Sequence, residues 1–499
     1  MLSYLTYLER RLSALVPDLS GIEGFIKKVA LALLAGQAVL CLGAVITRVM
    51  LHGDGSYFAY AIAAGEPWEL KWKGLATRAS TYVFTVVPTA FFSDAFGLSG
   101  EHIAAVNGLA FYGVQWIQYL IVVLLAWRQF PQLLIFPILQ YGLSTGLGFG
   151  FPSEILLAPG FLWICLFALI RNPVPWLLLY VAFAGLAFSH ELALPSALLV
   201  LAFSWRRQRQ MERGQRFSST LFACFATAVL AIWLAIRLHG GGVGAESGAI
   251  YVFDPRRVFN VPTLWLIAAV VLALGLSSHV KFTKRQRFLW VIGITCFFLT
   301  AMASLPLDFV QGRYSARTWI GVWMVVLGLI YVADQSRAIS DRHELAAPNA
   351  FFAFKSVVIA TLSINLAASS MFLHEWNEAV TAFSSVVNSD PGTGKIEIVS
   401  EDQLRTLLGP AGSKLNERMG FSWTWPYRSI VAAKDFRPGH VIVNPEEALA
   451  QCKALSLQTS TSRIPADVIG TVSRFACAQP APPDRRYLRQ WLSSFFWRS

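Results

Sequence analysis

Charge is what this sequence is short of. Of its 499 residues only 14% are Asp, Glu, Lys or Arg while 55% are apolar, and globular chains usually carry about a quarter of their residues as charges. With a mean hydropathy of +0.52, that shortage excludes an ordinary soluble protein and points to a polytopic α-helical membrane protein. Clustered metal ligands are missing too: none of the 8 His forms a His-x-x-x-His pair, and no Cys-x-x-Cys occurs. Gly-x-x-x-x-Gly-Lys is absent, which removes P-loop chemistry, and Ser-His-Asp hydrolysis lacks support. Residues 1–24 have no apolar core of the kind a cleavable signal peptide needs, so the first span is expected to act as an uncleaved anchor. Internal repeats and low-complexity tracts are absent as well.

Cysteine is sparse, at 6 residues. Cys41, Cys165, Cys224 and Cys296 fall inside apolar runs, where a thiol behaves as a small buried hydrophobe. Cys452 and Cys477 are the pair in the polar tail, and in an oxidising compartment they can form one disulfide. The formal net charge is +12, but the basic residues cluster in short loops between apolar runs. That is the positive-inside pattern and implies no nucleic-acid partner.

What is present is a succession of apolar runs. About 20 such residues at 1.5 Å each cover the hydrocarbon core. The first run spans Val29–Leu51, after Lys27 and Lys28; further runs fall near 80–96, 103–126, 131–149, 154–170, 174–204, 217–238, 262–278, 288–305, 318–333 and 350–370. The expectation is about eleven spans. Two runs are irregular: 80–96 is broken by Pro88 and Asp94, and 174–204 is long and holds Ser189-His190-Glu191 in its middle. Arginines in Trp205–Arg216 (Arg206, Arg207, Arg209, Arg213, Arg216) and Lys281, Lys284, Arg285 and Arg287 in the loop 279–287 mark cytoplasmic loops. Counting from them puts the N-terminus inside, and places Asp54, the loops 239–261 and 306–317 and everything after Met371 outside. Glu154 then falls on the inner side. Reading 174–204 as two crossings would break that parity.

The chain accordingly divides into a cytoplasmic amphipathic segment 1–24, a multi-span transmembrane region 25–370 and a periplasmic soluble region 371–499. In the last, Lys395–Val399 and His440–Val443 read as strands, and Glu401–Leu408 and Pro445–Leu455 as helices, which makes a small α+β domain. Its closing Trp491, Phe495, Phe496 and Trp497, with Arg486 and Arg489, can pack back onto the membrane face.

The stretch His52-Gly53-Asp54-Gly55-Ser56-Tyr57-Phe58-Ala59-Tyr60 puts one carboxylate where the first span leaves the membrane. Asp before Gly-Ser-Tyr is also a good helix N-cap, which is the bland reading. Tyr57, Phe58, Ala61 and Ile62 share one helical face, as in a helix lying along the interface. An acid ahead of such a helix is placed to deprotonate an acceptor hydroxyl while a lipid-borne donor approaches from the bilayer.

With an N-in first span, the acid in His52-Gly53-Asp54-Gly55, a juxtamembrane helix, many uneven spans and a terminal outer domain, the chain resembles the membrane-integral GT-C glycosyltransferases. No Trp-Trp-Asp signature of the oligosaccharyltransferase branch occurs, so that branch's metal site is not carried over. The resemblance implies inverting transfer of a hexosyl or pentosyl group from a polyprenyl-phosphate donor to a glycan or lipid acceptor, on the periplasmic side of a bacterial inner membrane. Asp54 takes the catalytic-base position. No metal or other cofactor is assigned; a divalent cation stays open, since an Asp and a phosphate can share one without a dedicated motif.

A donor phosphate is best held by Arg in bidentate hydrogen bonds. Candidates are Arg256 and Arg257, after the glycine-rich Gly240, Gly241, Gly242 and Gly244, and Arg313 and Arg317, which flank Tyr314 at the start of the next outer-facing span. Contact with lipid headgroups is the competing reading. Arg78, beside Tyr82, is a further candidate, as are Lys71 and Lys73. His190-Glu191 is the costliest polar pair in the apolar runs, and intramembrane ionisable groups are functional hypotheses by default. Trp423 and Trp425 are expected either to stack an acceptor sugar or to lie in the core of the outer domain. A transporter or flippase is the alternative class, although it should show pseudo-symmetric halves and none are visible. A non-catalytic surface-polysaccharide assembly factor is the third.

Overall fold

The structure, a computed structural model, describes residues 22–209, 213–239, 311–337, 348–391, 395–408, 421–456 and 459–479. Arg256 and Arg257, the runs at 262–278 and 288–305, and the closing Trp491–Trp497 lie outside the described residues. Helices are numbered along the described chain.

Three helices carry the bundle: α1 (Ile22–Ile46), the later α4 (Gly100–Ala126) and α9 (Arg213–Leu238). Each contains a stretch long and apolar enough by itself to cross a membrane. Their outer faces keep large apolar side chains uncovered by protein, with Ile46 75% exposed, as expected where lipid rather than water is the neighbour. Between them run α5 (Ile135–Gly148), α6 (Ala158–Ile170), α7 (Trp176–Ala187) and α8 (Leu194–Gln208), and α10 (Gln311–Arg337) and α11 (Pro348–Val387) follow. The chain is a helical protein of membrane type.

The two ends of the bundle are distinguishable by their contacts. At one, Lys27 lies 5.4 Å from the centroid of the Trp127 ring, and Gln129 and Gln215 both donate to Asn172. At the other, Asp54, Arg78, Glu154, Glu191 and Arg317 gather.

The run 80–96 does not join these ends. Arg463, in the tail, donates its backbone N–H to the Ala63 carbonyl and its guanidinium to the Leu98 carbonyl, each at 3.0 Å. The excursion from 64 to 98 therefore leaves and returns at one residue. It dips through π-helical turns at Trp68–Trp72 and Tyr82–Val86 and a 3-10 segment at Lys73–Arg78, then climbs as α3 (Val87–Phe96). Pro88 sits in the first turn of α3, where its missing N–H costs nothing, and Asp94 pairs with Arg463.

Consequently α4 runs from the Asp54 end to the Lys27 end, and α5 runs back. Tyr112 Oη donates to the Phe149 carbonyl at 2.6 Å and Phe149 packs on Phe372, so α5 finishes at the Asp54 end. This corrects the expected inner placement of Glu154. The run 174–204 is the second departure, because it is two arms. α7 has 12 residues and α8 has 15, about 18 and 23 Å at 1.5 Å per residue, and both meet at His190-Glu191 at the Asp54 end. The run 80–96 thus begins and ends at one end of the bundle, whereas 174–204 runs up to that end and back.

α2 (Asp54–Ala63) exists as expected, but it does not lie against lipid. Nearly all of it is buried, between α4 and the tail helix α13 (Trp425–Ala432). α11 continues unbroken through Met371, for 40 residues in all. Beyond it, β1 (Glu397–Val399) pairs in parallel with β2 (His440–Ile442), with Ile398 opposite Val441. α12 (Glu401–Leu408) follows β1, and α14 (Pro445–Leu455) is linked to α15 (Ala466–Ala478) by a Cys452–Cys477 disulfide. Gly100 opens α4 directly beneath α13, and a Cβ there would collide with the Val431 carbonyl.

Candidate functional site

Asp54 is the first helical residue of α2, not its cap; Gly53 takes the cap position with φ 52° and ψ −135°. A side chain disfavours that backbone, and a Cβ at Gly53 would also sit 3.0 Å from Phe151 and 3.3 Å from Phe421. Glycine therefore lets two aromatic rings close over the turn that aims Asp54. Its carboxylate accepts a hydrogen bond from Arg317 at 2.8 Å, across 263 positions of sequence. The Arg317 guanidinium lies 4.3 Å from the Phe151 ring centroid, and Phe151 stacks on Phe421 at 4.9 Å. Stacking on an aromatic face fixes the plane of a guanidinium while leaving its edge for a planar anion.

Next to this pair sits a second group of charges centred on Arg78. Its Nε lies 3.0 and 3.3 Å from the two Glu191 oxygens, with a terminal nitrogen 2.9 Å from Oε2. Its other terminal nitrogen is 3.6 Å from Glu154 Oε2. Thr77 donates to Glu191 Oε1 at 3.2 Å, and Arg237, in the last turn of α9, reaches the same oxygen at 4.0 Å. His190 Nδ1 accepts the Leu192 N–H at 3.2 Å, which places the proton of a neutral ring on Nε2. Lys71 and Arg317 contribute to the field at Glu154, and Asp54 to that at Arg78, so the two groups form one electrostatic unit. The charges are bonded to one another as buried ions must be.

Over α2, Lys71 lies 5.0 Å from the Tyr57 ring centroid. Burial pushes the Tyr57 phenol up to about 12, so it is a donor at neutral pH, and it donates to the Leu70 carbonyl at 2.7 Å. Trp423 meets Tyr57 edge-on at 6.1 Å and is half-buried, whereas Trp425 is fully buried core. Of the two tryptophans only Trp423 borders the site.

Among the site residues expected from sequence, Asp54, Arg78, His190, Glu191 and Arg317 are brought together. Lys71 joins them, while Lys73 turns to Glu69 at 3.0 Å. Arg313 and Tyr314 lie on the first turns of α10, with side chains outside the described ones, as Arg256 and Arg257 are altogether. Sequence reasoning missed Glu154 as a site residue and gave Arg237 and Phe151 no role. The available signal for Glu154 was its own cost: an acid opening the apolar stretch Ile155–Ile170 needs a buried cation. Gly142-Leu143-Ser144-Thr145-Gly146 spells Gly-x-Ser-x-Gly, but it lies inside the continuous helix α5 and not on the strand-to-helix turn that exposes such a serine. Among the described residues no group of three or more His, Cys, Asp or Glu gathers to hold a metal. No protein-family model, curated protein or solved structure matches this chain.

Proposed function

We propose that the protein is an inverting membrane glycosyltransferase of the GT-C type, moving one sugar from a polyprenyl-phosphate donor to a glycan or lipid acceptor on the periplasmic side of a bacterial inner membrane. The observation that carries this reading is the Asp54–Arg317 pair at the outlet of the first span. It sets a carboxylate for the acceptor beside a guanidinium for the donor.

In this reading the acceptor hydroxyl gives its proton to Asp54 and attacks the anomeric carbon from the face opposite the phosphate. The bond from that carbon to the phosphate oxygen breaks, and its electron pair leaves on the phosphate. The leaving group is already an anion, so charge stabilisation by Arg317, supported by Arg78 and Lys71, matters more than a general acid. The phosphate competes with Asp54 for Arg317, so donor binding itself releases the base from its ion pair. Arg256, Arg257, Arg313 and Tyr314 remain donor-binding candidates, and Trp423 beside Tyr57 offers an aromatic platform for a glycan acceptor. The topology in this reading is N-terminus inside with about eleven spans, as the apolar runs of the sequence suggest.

The test is sugar transfer by the purified protein from short-chain polyprenyl-phosphate donors, with Asp54→Asn as the comparison. Loss of about 10²- to 10⁴-fold in turnover is expected for removing a general base. Full activity in a folded Asp54→Asn variant would eliminate the base assignment, and solute movement across vesicles without sugar transfer would eliminate the transferase reading.

A further inference from the structure

Below the ion pairs, two buried side chains keep polar atoms that make no hydrogen bond. Glu154 is fully buried, and neither of its carboxylate oxygens accepts a hydrogen bond; its nearest cation, Arg78, is 3.6 Å away. His190 is 6% exposed and its Nε2 is unpaired, while Nδ1 is occupied by the Leu192 N–H. Both residues flank the Arg78–Glu191 pair from inside. Exposure falls in steps: the Arg78 and Glu191 side chains are 15% and 23% exposed, and Glu154 is 0%. Buried polar atoms are nearly always paired, and an unpaired one costs about 1–3 kcal/mol, more when charged. Glu154 and His190 together therefore hold two strong acceptors and one donor, which is what neighbouring sugar hydroxyls, each both donor and acceptor, satisfy.

We propose that Glu154 and His190 form a sugar-reading subsite that takes a neutral, hydroxyl-bearing sugar, with hydroxyls donating to Glu154 and accepting from His190 Nε2. The proposal rests on the transferase reading, in which the donor phosphate lies at Arg317 and its sugar points inward. Charge selects against acidic sugars. A uronate would set its carboxylate against Glu154 and Glu191, and like charges brought together cost several kcal/mol. Low solvent access makes each hydroxyl contact count, because a hydrogen bond in a dry site is electrostatically stronger than one in water.

The experiment titrates full-length protein in nanodiscs with short-chain polyprenyl-phosphate neutral sugars. Singly deoxygenated forms of the tightest binder and its uronate counterpart follow, with binding and transfer both measured. At least one deoxygenated donor is expected to bind about 10- to 100-fold more weakly than its parent, the range for a hydrogen bond to a charged group. The uronate should be weaker still, and Glu154→Gln should remove most of the deoxygenation penalty. Wild-type protein that holds every deoxygenated donor as tightly as the parent overturns the proposal without any variant. So does a Glu154→Gln variant that weakens parent and deoxygenated donors equally; if that variant does not fold, His190→Ala supplies the same comparison. Hydroxyl-dependent binding with no transfer sustains the subsite and sinks the transferase reading. Transfer with no hydroxyl dependence sinks the subsite alone, and failure of every donor to bind sinks both.

Discussion

Buried arginines are held differently at the two places where the tail meets the bundle. At the Asp54 end, Arg78 and Arg317 face carboxylates and stay 15% exposed. Under the tail, Arg428 is fully buried; it donates to the Leu51 carbonyl at 2.5 Å and lies within 5.5 Å of the Trp376 and Phe383 ring centroids. Burial pulls its guanidinium down to about 9, so it remains charged at neutral pH. The contrast separates two uses of one side chain. A cation that meets carboxylates at a partly open rim can exchange them for a phosphate. One that is fully buried against a backbone carbonyl and aromatic faces serves as a bolt between α13 and the end of the first span.

That comparison can be broken by stability and turnover measurements on the same variants. Arg78→Ala strips Glu154 and Glu191 of their shared cation and should destabilise the protein by about 3–5 kcal/mol. Combining it with Glu154→Gln should recover part of that loss in thermal unfolding, and no recovery would mean that the pair is not energetically linked. Arg317→Met should lower turnover about 10²- to 10³-fold, the cost of removing one charge-stabilising donor, while the unfolding temperature moves by only a few degrees. A stability loss as large as that of Arg78→Ala would assign Arg317 to the scaffold. Arg428→Met should behave oppositely, costing about 2 kcal/mol through the unpaired Leu51 carbonyl, with the fraction that folds keeping whatever turnover the proposed transfer assay detects in wild type. An effect of similar size is expected for Gly53→Ala, about 1–3 kcal/mol of backbone strain. Because that strain sits beside Asp54, turnover should fall by more than unfolding does. Equal losses would detach the Gly53 turn from the site.

Much of this organisation was legible in the sequence. The apolar runs, the tail strands and helices, and the acid at the outlet of the first span all follow from local pattern, since period, length and composition are properties of neighbouring residues. The run 80–96 misled because its composition is that of a span, while its course is set by Arg463 and Asp94, residues that meet only in the fold. The run 174–204 misled in the opposite sense. Its Ser-His-Glu centre ends one helix and starts another because Arg78, over a hundred residues earlier, supplies the charge that Glu191 needs there. Glu154 was displaced from the site by the first of these errors.

The sequence by itself determined that the chain belongs in a membrane, where its helices lie and which residues are costly enough to require a reason. Tertiary structure alone decided which acceptor answers which cation: Asp54 with Arg317, Glu191 and Glu154 with Arg78, the Leu51 backbone carbonyl with Arg428. The reason is physical. Burying an apolar side chain needs no particular partner, so hydrophobic pattern can be read locally, but burying a charge needs one specific counter-group within a few ångströms, and the chain brings that group from a distant part of the sequence.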